Sequence, residues 1–113
     1  MILQILKIIA AIATILTGIV SLFWPMRVPG FTGLDPNGGR GITEIRTILG
    51  ALFVGLGAAV LYVNNSDVYL VLGITYLAMA LVRGISIFVD NSAISSNIIS
   101  FAVELVFGIL LVL

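Results

Sequence analysis

Apolar positions along this chain gather into long, nearly unbroken runs, and the polar positions cluster between them. The runs lie at about 2–24, 42–63, 68–89 and 94–113. Each is near or above the roughly 18–20 residues a helix needs to cross a bilayer. "NNSD" (64–67) and "DNSAISS" (90–96) are short links, with Ser66 or Asp67 as the expected N-cap of the third helix. The first link is different. "FWPMRVPG" (23–30) places Phe23 and Trp24 where an interfacial aromatic belt would sit, and Pro25 stops the helix. From there a Pro/Gly-rich connection runs to Gly41, too long for a tight turn, and it reads as an ordered cap or a loose loop. Short links make consecutive helices antiparallel neighbours. The pattern therefore predicts an all-α, integral membrane four-helix bundle, up-down-up-down, with a Pro/Gly-rich first loop and a single transmembrane domain over 1–113.

Small residues recur at helical spacing within the runs. The first carries Ala10, Ala13, Thr14, Thr17, Gly18 and Ser21; the second Gly50, Gly55 and Gly57; the third Gly73, Ala80 and Gly84. Helices in lipid gain nothing by expelling water, so they associate through close backbone approach, which small side chains permit. Packing alone accounts for nearly all these glycines.

Composition sharpens the assignment. The 113 residues are 61% hydrophobic and 9% charged, against about 45–50% apolar and about 25% charged for a soluble domain. Mean hydropathy is +1.30. Zero net charge argues against nucleic-acid binding. There is no Cys and no His, which excludes thiol chemistry, disulfides, histidine catalysis and His- or Cys-ligated metal or haem. No cofactor is expected. Nor does the first run read as a cleaved leader: its only early cation, Lys7, lies inside the run, and the apolar stretch exceeds the roughly 7–15 residues of a leader's core. Arg27 and Arg40 share the side of the long loop, so the charge bias points to a bacterial-type inner (plasma) membrane with that loop cytoplasmic and the termini outside.

The candidate chemistry is the set of charges inside the runs. At 1.5 Å per residue, Glu44 and Arg46 lie roughly 3–6 Å into the second span, Arg83 about 9 Å before the end of the third, and Glu104 about 15 Å into the fourth. Each costs about 2.5–3.5 kcal/mol if left facing lipid at mid-depth, so all four are expected to face inward and to pair. Arginine suits the task because its fork can hold a carboxylate by two hydrogen bonds. Asn97, Ser100 and Glu104 form one polar stripe; Tyr76, Met79, Arg83 and Ser86 share another face; Thr43, Arg46, Gly50 and Gly57 share a third. Converging, these faces would make a polar chamber below the long loop. The candidate ion-pair or ligand-binding set is Arg40, Glu44, Arg46, Arg83, Asn97, Ser100 and Glu104. In one reading the charges only fix helix register. In the other, Arg46 and Arg83 contact a polar or anionic headgroup, with the glycines of "NGGRG" allowing close backbone approach near the mouth.

"GRGITEIRTILG", with Arg40, Glu44, Arg46 and Gly50, and "AVELVFGILLVL" (102–113), with Glu104, Gly108 and Leu110 to Leu113, resemble the DoxX-like group of small bacterial four-helix membrane proteins and a related family known only as a domain of unknown function. The resemblance implies a membrane bundle, often in a partner complex or redox-associated setting, and transfers no catalytic residue. Small multidrug-resistance exporters share the length and span number, but their first-span carboxylate has no counterpart beside Gln4 and Lys7.

No catalytic set emerges, and no metal cluster. The expectation is a non-enzymatic membrane protein: an accessory subunit, or a binder of a lipid, quinone or small amphipathic ligand, as a homodimer or within a larger membrane complex. The alternative is a small-molecule or proton-coupled transporter working through the Arg/Glu cluster, with Glu104 as the carboxylate that exchanges protons.

Overall fold

A computed structural model describes residues 1–113, and it is helical throughout with no strand. Helix α1 spans Ile2–Phe23. A 3₁₀ turn at Pro25–Arg27 and a short helix, α2 (Val28–Thr32), follow it. Then come α3 (Gly38–Val63), α4 (Ser66–Val89) and α5 (Ser95–Val112). Helices α1, α3, α4 and α5 are each long and apolar enough to cross a membrane.

The chain falls into two compact units, Ile8–Val63 and Met1–Lys7 with Asn64–Leu113. Within the first, α1 packs on α3 through glycine. A Cβ on Gly18 would lie 2.7 Å from the Gly50 carbonyl oxygen, and one on Gly57 would lie 2.9 Å from that of Ala11. Numbers fall on one helix as they rise on the other, so the pair is antiparallel. Gly55, predicted to share the packing stripe, meets nothing within 4 Å.

Within the second unit α4 and α5 form the same kind of hairpin. A Cβ on Gly73 would be 2.8 Å from that of Leu111, and one on Gly108 would be 3.1 Å from the backbone nitrogen of Leu77. Tyr76 meets Phe107 edge to face at 5.5 Å between ring centroids. The turn before α4 is capped by Asn65, not by Ser66 or Asp67: its Oδ1 accepts from the Val68 amide at 3.0 Å. Asn64, which holds a left-handed backbone at φ 50°, also accepts from the Tyr69 hydroxyl at 2.8 Å.

Burial runs opposite to a water-soluble core. On α1, Ala10, Thr14 and Ser21 are buried while Ile9, Ile12 and Leu16 are exposed. Of the small residues expected to pack there, Thr17 faces out and Ala13 is half-buried. The hydroxyls that apolar surroundings would strand bond to their own helix: Thr14 to the Ala10 carbonyl and Thr17 to that of Ala13, each at 2.9 Å.

The first link is largely a folded segment, the ordered of the two alternatives, and it ends at Gly38, a few residues before the expected Gly41. Pro25 and Val28 are buried, Gly33 ends α2 in the left-handed region at φ 74°, and α3 begins at Gly38. Inside α3, Ile45–Ala51 is wound as a wide π-type turn, closed by the Leu52 amide bonding to the Thr47 carbonyl. One extra residue in a turn rotates everything beyond it by about 100°. Thr43 and Gly57, aligned by ordinary helical spacing, therefore part: Thr43 is exposed and Gly57 buried.

Gly18→Ala should lower the unfolding midpoint in detergent, at a cost of about 1–3 kcal/mol, because the clash is with backbone that no side-chain rotation relieves. Gly55→Ala, in open space, should leave the midpoint unchanged or raise it, alanine being the better helix former.

Candidate functional site

Arg83 on α4 and Glu104 on α5 meet fork to fork. Arg83 Nε donates to Glu104 Oε1 at 2.5 Å and Nη2 to Oε2 at 2.9 Å. Antiparallel packing carries this contact: the same register that sets Gly73 on Leu111 and Gly84 on Phe101 brings residues 83 and 104 to one level. Glu104 is 5% exposed, and the Arg83 side chain is 33% exposed. The carboxylate is thus enclosed, and the guanidinium forms its lid.

From this pair a polar string climbs to the loop. Arg83 Nη1 donates to Asn97 Oδ1 at 2.9 Å. Asn97 Nδ2 in turn donates to the Ser92 carbonyl at 3.0 Å and to Ser92 Oγ at 3.1 Å. Ile94 at the N-cap of α5 offers no side-chain acceptor; the bonds of Asn97 to Ser92 tie the first turn of the helix to the loop instead. Asn91, at φ 50°, supplies the left-handed residue that turns the chain. Three of the five N–H donors of Arg83 are engaged in these bonds.

Beside the string lies an open groove of about 590 Å³. Ala78, Met79 and Val82 form its apolar flank, and Arg83, Ser86, Asp90, Ser92 and Asn97 its polar end. The residues contributed by α4 and its C-cap stand at positions 78, 79, 82, 83, 86 and 90, one helical face. Asp90 is exposed and forms no ion pair.

The other charges do not join this site. Glu44 pairs within its own helix, with Arg40 Nη2 at 3.1 Å, and both side chains are largely exposed. Arg46 is exposed as well. The expected inward convergence of four charges thus reduces to one enclosed pair. Glu44 and Arg46 lie on the exposed surface of α3, Glu44 just ahead of the wide turn and Arg46 within it. Ser100 is half-buried and joins none of the bonds of the string.

Sequence spacing pointed to Arg83, Asn97, Glu104, Ser86 and Met79. It missed Asp90 and Ser92, whose only signal was their place in a short polar link, and it did not single out Lys7, which is 8% exposed within α1. No group of three or more His, Cys, Asp or Glu side chains is placed to hold a metal.

A family model described as a domain of unknown function, DUF4345, matches residues 2–113. That match names no DoxX-like family. No curated protein and no solved structure matches the chain.

Arg83→Leu should destabilise the protein strongly, approaching the roughly 3–5 kcal/mol of a broken buried pair but reduced by the partial exposure of the arginine. The double variant Arg83→Leu/Glu104→Leu should recover most of that loss, since no charge is then stranded. Arg40→Ala should be close to neutral. Unfolding midpoints of the purified protein in one detergent check all three.

Proposed function

Because the chain belongs to the DUF4345 family, a family of unknown function, its role must be argued from its own chemistry, and we propose that it is a non-enzymatic, multi-pass protein of the inner (plasma) membrane that binds a lipid or another small amphipathic molecule along α4. The observation that carries this is the groove beside Arg83. Its apolar flank and polar end are continuous on one helix face, and the polar end sits where α4 leaves the apolar run. That is the order of tail and head in an amphiphile. The Arg83 side chain is held from one side by Glu104 and Asn97, so it meets a ligand already oriented.

The inverted burial supports the membrane placement, since large apolar side chains outside and small ones inside suit a hydrocarbon solvent. A cytoplasmic long loop fits the exposed Arg27 and Arg40 at that end of the first unit. Binding along α4 is compatible with service as an accessory subunit, a homodimer or part of a larger complex. Quinones fall within the ligand class, having an apolar tail and hydrogen-bond acceptors. The transporter reading has less support: it asks Glu104 to exchange protons, yet both its oxygens are held by a guanidinium. A DoxX-like redox association draws on architecture alone.

Native mass spectrometry from a gentle detergent tests the binding. The wild-type protein is expected to retain a lipid or amphiphile adduct. Met79→Trp, which fills the apolar flank, should reduce adduct occupancy at least about five-fold. Ile74→Trp, on an exposed position of the same helix outside the groove, should leave it unchanged. Equal occupancy in all three would refute the proposal.

A further inference from the structure

Resting on the groove reading, we infer that the head it selects carries a primary ammonium, and that its occupant is a zwitterionic phospholipid of the phospho-ammonium type, not an anionic lipid. The argument is a charge count. Two ionised side chains line the groove, Arg83 and Asp90. The charge of Arg83 is matched by Glu104, which grips it with both carboxylate oxygens. Asp90 has no such partner, so the uncompensated charge at the polar end is negative. An anionic head, whose phosphate Arg83 could still reach, would bring no ammonium to offset the Asp90 carboxylate.

The hydrogen-bonding groups point the same way. Around the head end stand the Asp90 carboxylate and the hydroxyls of Ser86 and Ser92, a set rich in acceptors. A primary ammonium brings three donors to them; a quaternary ammonium brings none. Arg83 retains two N–H groups beyond those it gives to Glu104 and Asn97. These are available to a phosphate lying one step deeper than the ammonium. The two poles of the head thus find their opposites in the order in which a phospholipid presents them: amine outermost, phosphate next, acyl chain last.

Spacing fits this order. Arg83 and Ser86 on α4 and Asp90 at its C-cap stand at i, i+3 and i+7, so Arg83 and Asp90 are about 10 Å apart along the axis. The guanidinium narrows that gap, because its Nη1 reaches Asn97, near the loop end of α5. From Asp90 to Ala78 the groove follows roughly 18 Å of helix, room for a head and part of one acyl chain. Flanking Met79 suits such a chain, since its flexible thioether fills irregular apolar space.

The test uses the full chain in mild detergent, delipidated and titrated with short-chain phosphatidylethanolamine, phosphatidylcholine and phosphatidylglycerol, read by native mass spectrometry. The ethanolamine lipid should bind about three- to ten-fold more tightly than either of the others. Asp90→Asn, an exposed change that leaves the Arg83–Glu104 pair intact, should erase that preference without lowering the unfolding midpoint. A preference for the glycerol lipid, or one for ethanolamine that survives Asp90→Asn, overturns the headgroup assignment. Binding of all three lipids that Met79→Trp abolishes, but with no preference among them, also overturns it and leaves the groove reading standing. Binding that Met79→Trp does not affect removes both.

Discussion

A guanidinium and a carboxylate placed among apolar helices each carry a heavy desolvation cost, and the two-pronged contact of Arg83 with Glu104 is what makes them tolerable together. Much of the second unit is arranged around that contact. It requires α4 and α5 to run antiparallel in a single register, because a slip of one residue would swing one of the two side chains away. Asn97 extends the bonding to the loop, and Ser92 anchors Asn97. The groove exists because the guanidinium lies along the surface of the hairpin, covering Glu104 while leaving its own outer edge open.

Both hairpins use one packing device. Glycine lets backbones approach to distances that a Cβ would forbid, and the bulky aliphatic side chains stay outside. Helices in a hydrocarbon solvent gain van der Waals contact this way without any help from water. Serine and threonine fit between them by returning their hydroxyl protons to the preceding helical turn. Such packing sets register finely but leaves few deep pockets. On the proposed reading, binding falls to surface grooves, which suit a lipid-like molecule.

For the binding role proposed here, the charge distribution is what separates kinds of occupant. Arginine near the end of an apolar helix invites an anion reading, and the residue types alone cannot dismiss it. Once Glu104 is seen to consume the charge of Arg83, the balance at the polar end passes to Asp90. A short loop residue of no evident role thereby becomes, under that proposal, the group that would discriminate.

Span positions, the small-residue stripes and the Asn97/Glu104 face were legible because hydrophobic periodicity and span length are local properties that survive folding. The helix ends lie within a few residues of the ends of the apolar runs. At the start of α3 that agreement failed: Gly38 to Gly41 read as loop, and are helical. Helical spacing also placed Arg46 with Gly57, an alignment that the wide turn at Ile45–Ala51 undoes. Asn65 took the cap expected of its neighbours because its backbone is extended and Ser66 already belongs to the helix. By itself, then, the amino-acid order determined that four apolar helices form, which small faces are available to pack, and that Arg83 and Glu104 need partners. The Arg40–Glu44 pair, four residues apart on one helix, needed only that α3 begin at Gly38; tertiary structure alone decided that Arg83 and Glu104 partner each other and that Arg46 remains outside. Such choices depend on the rotation and register between helices, and these follow from side-chain contacts between residues far apart in the chain.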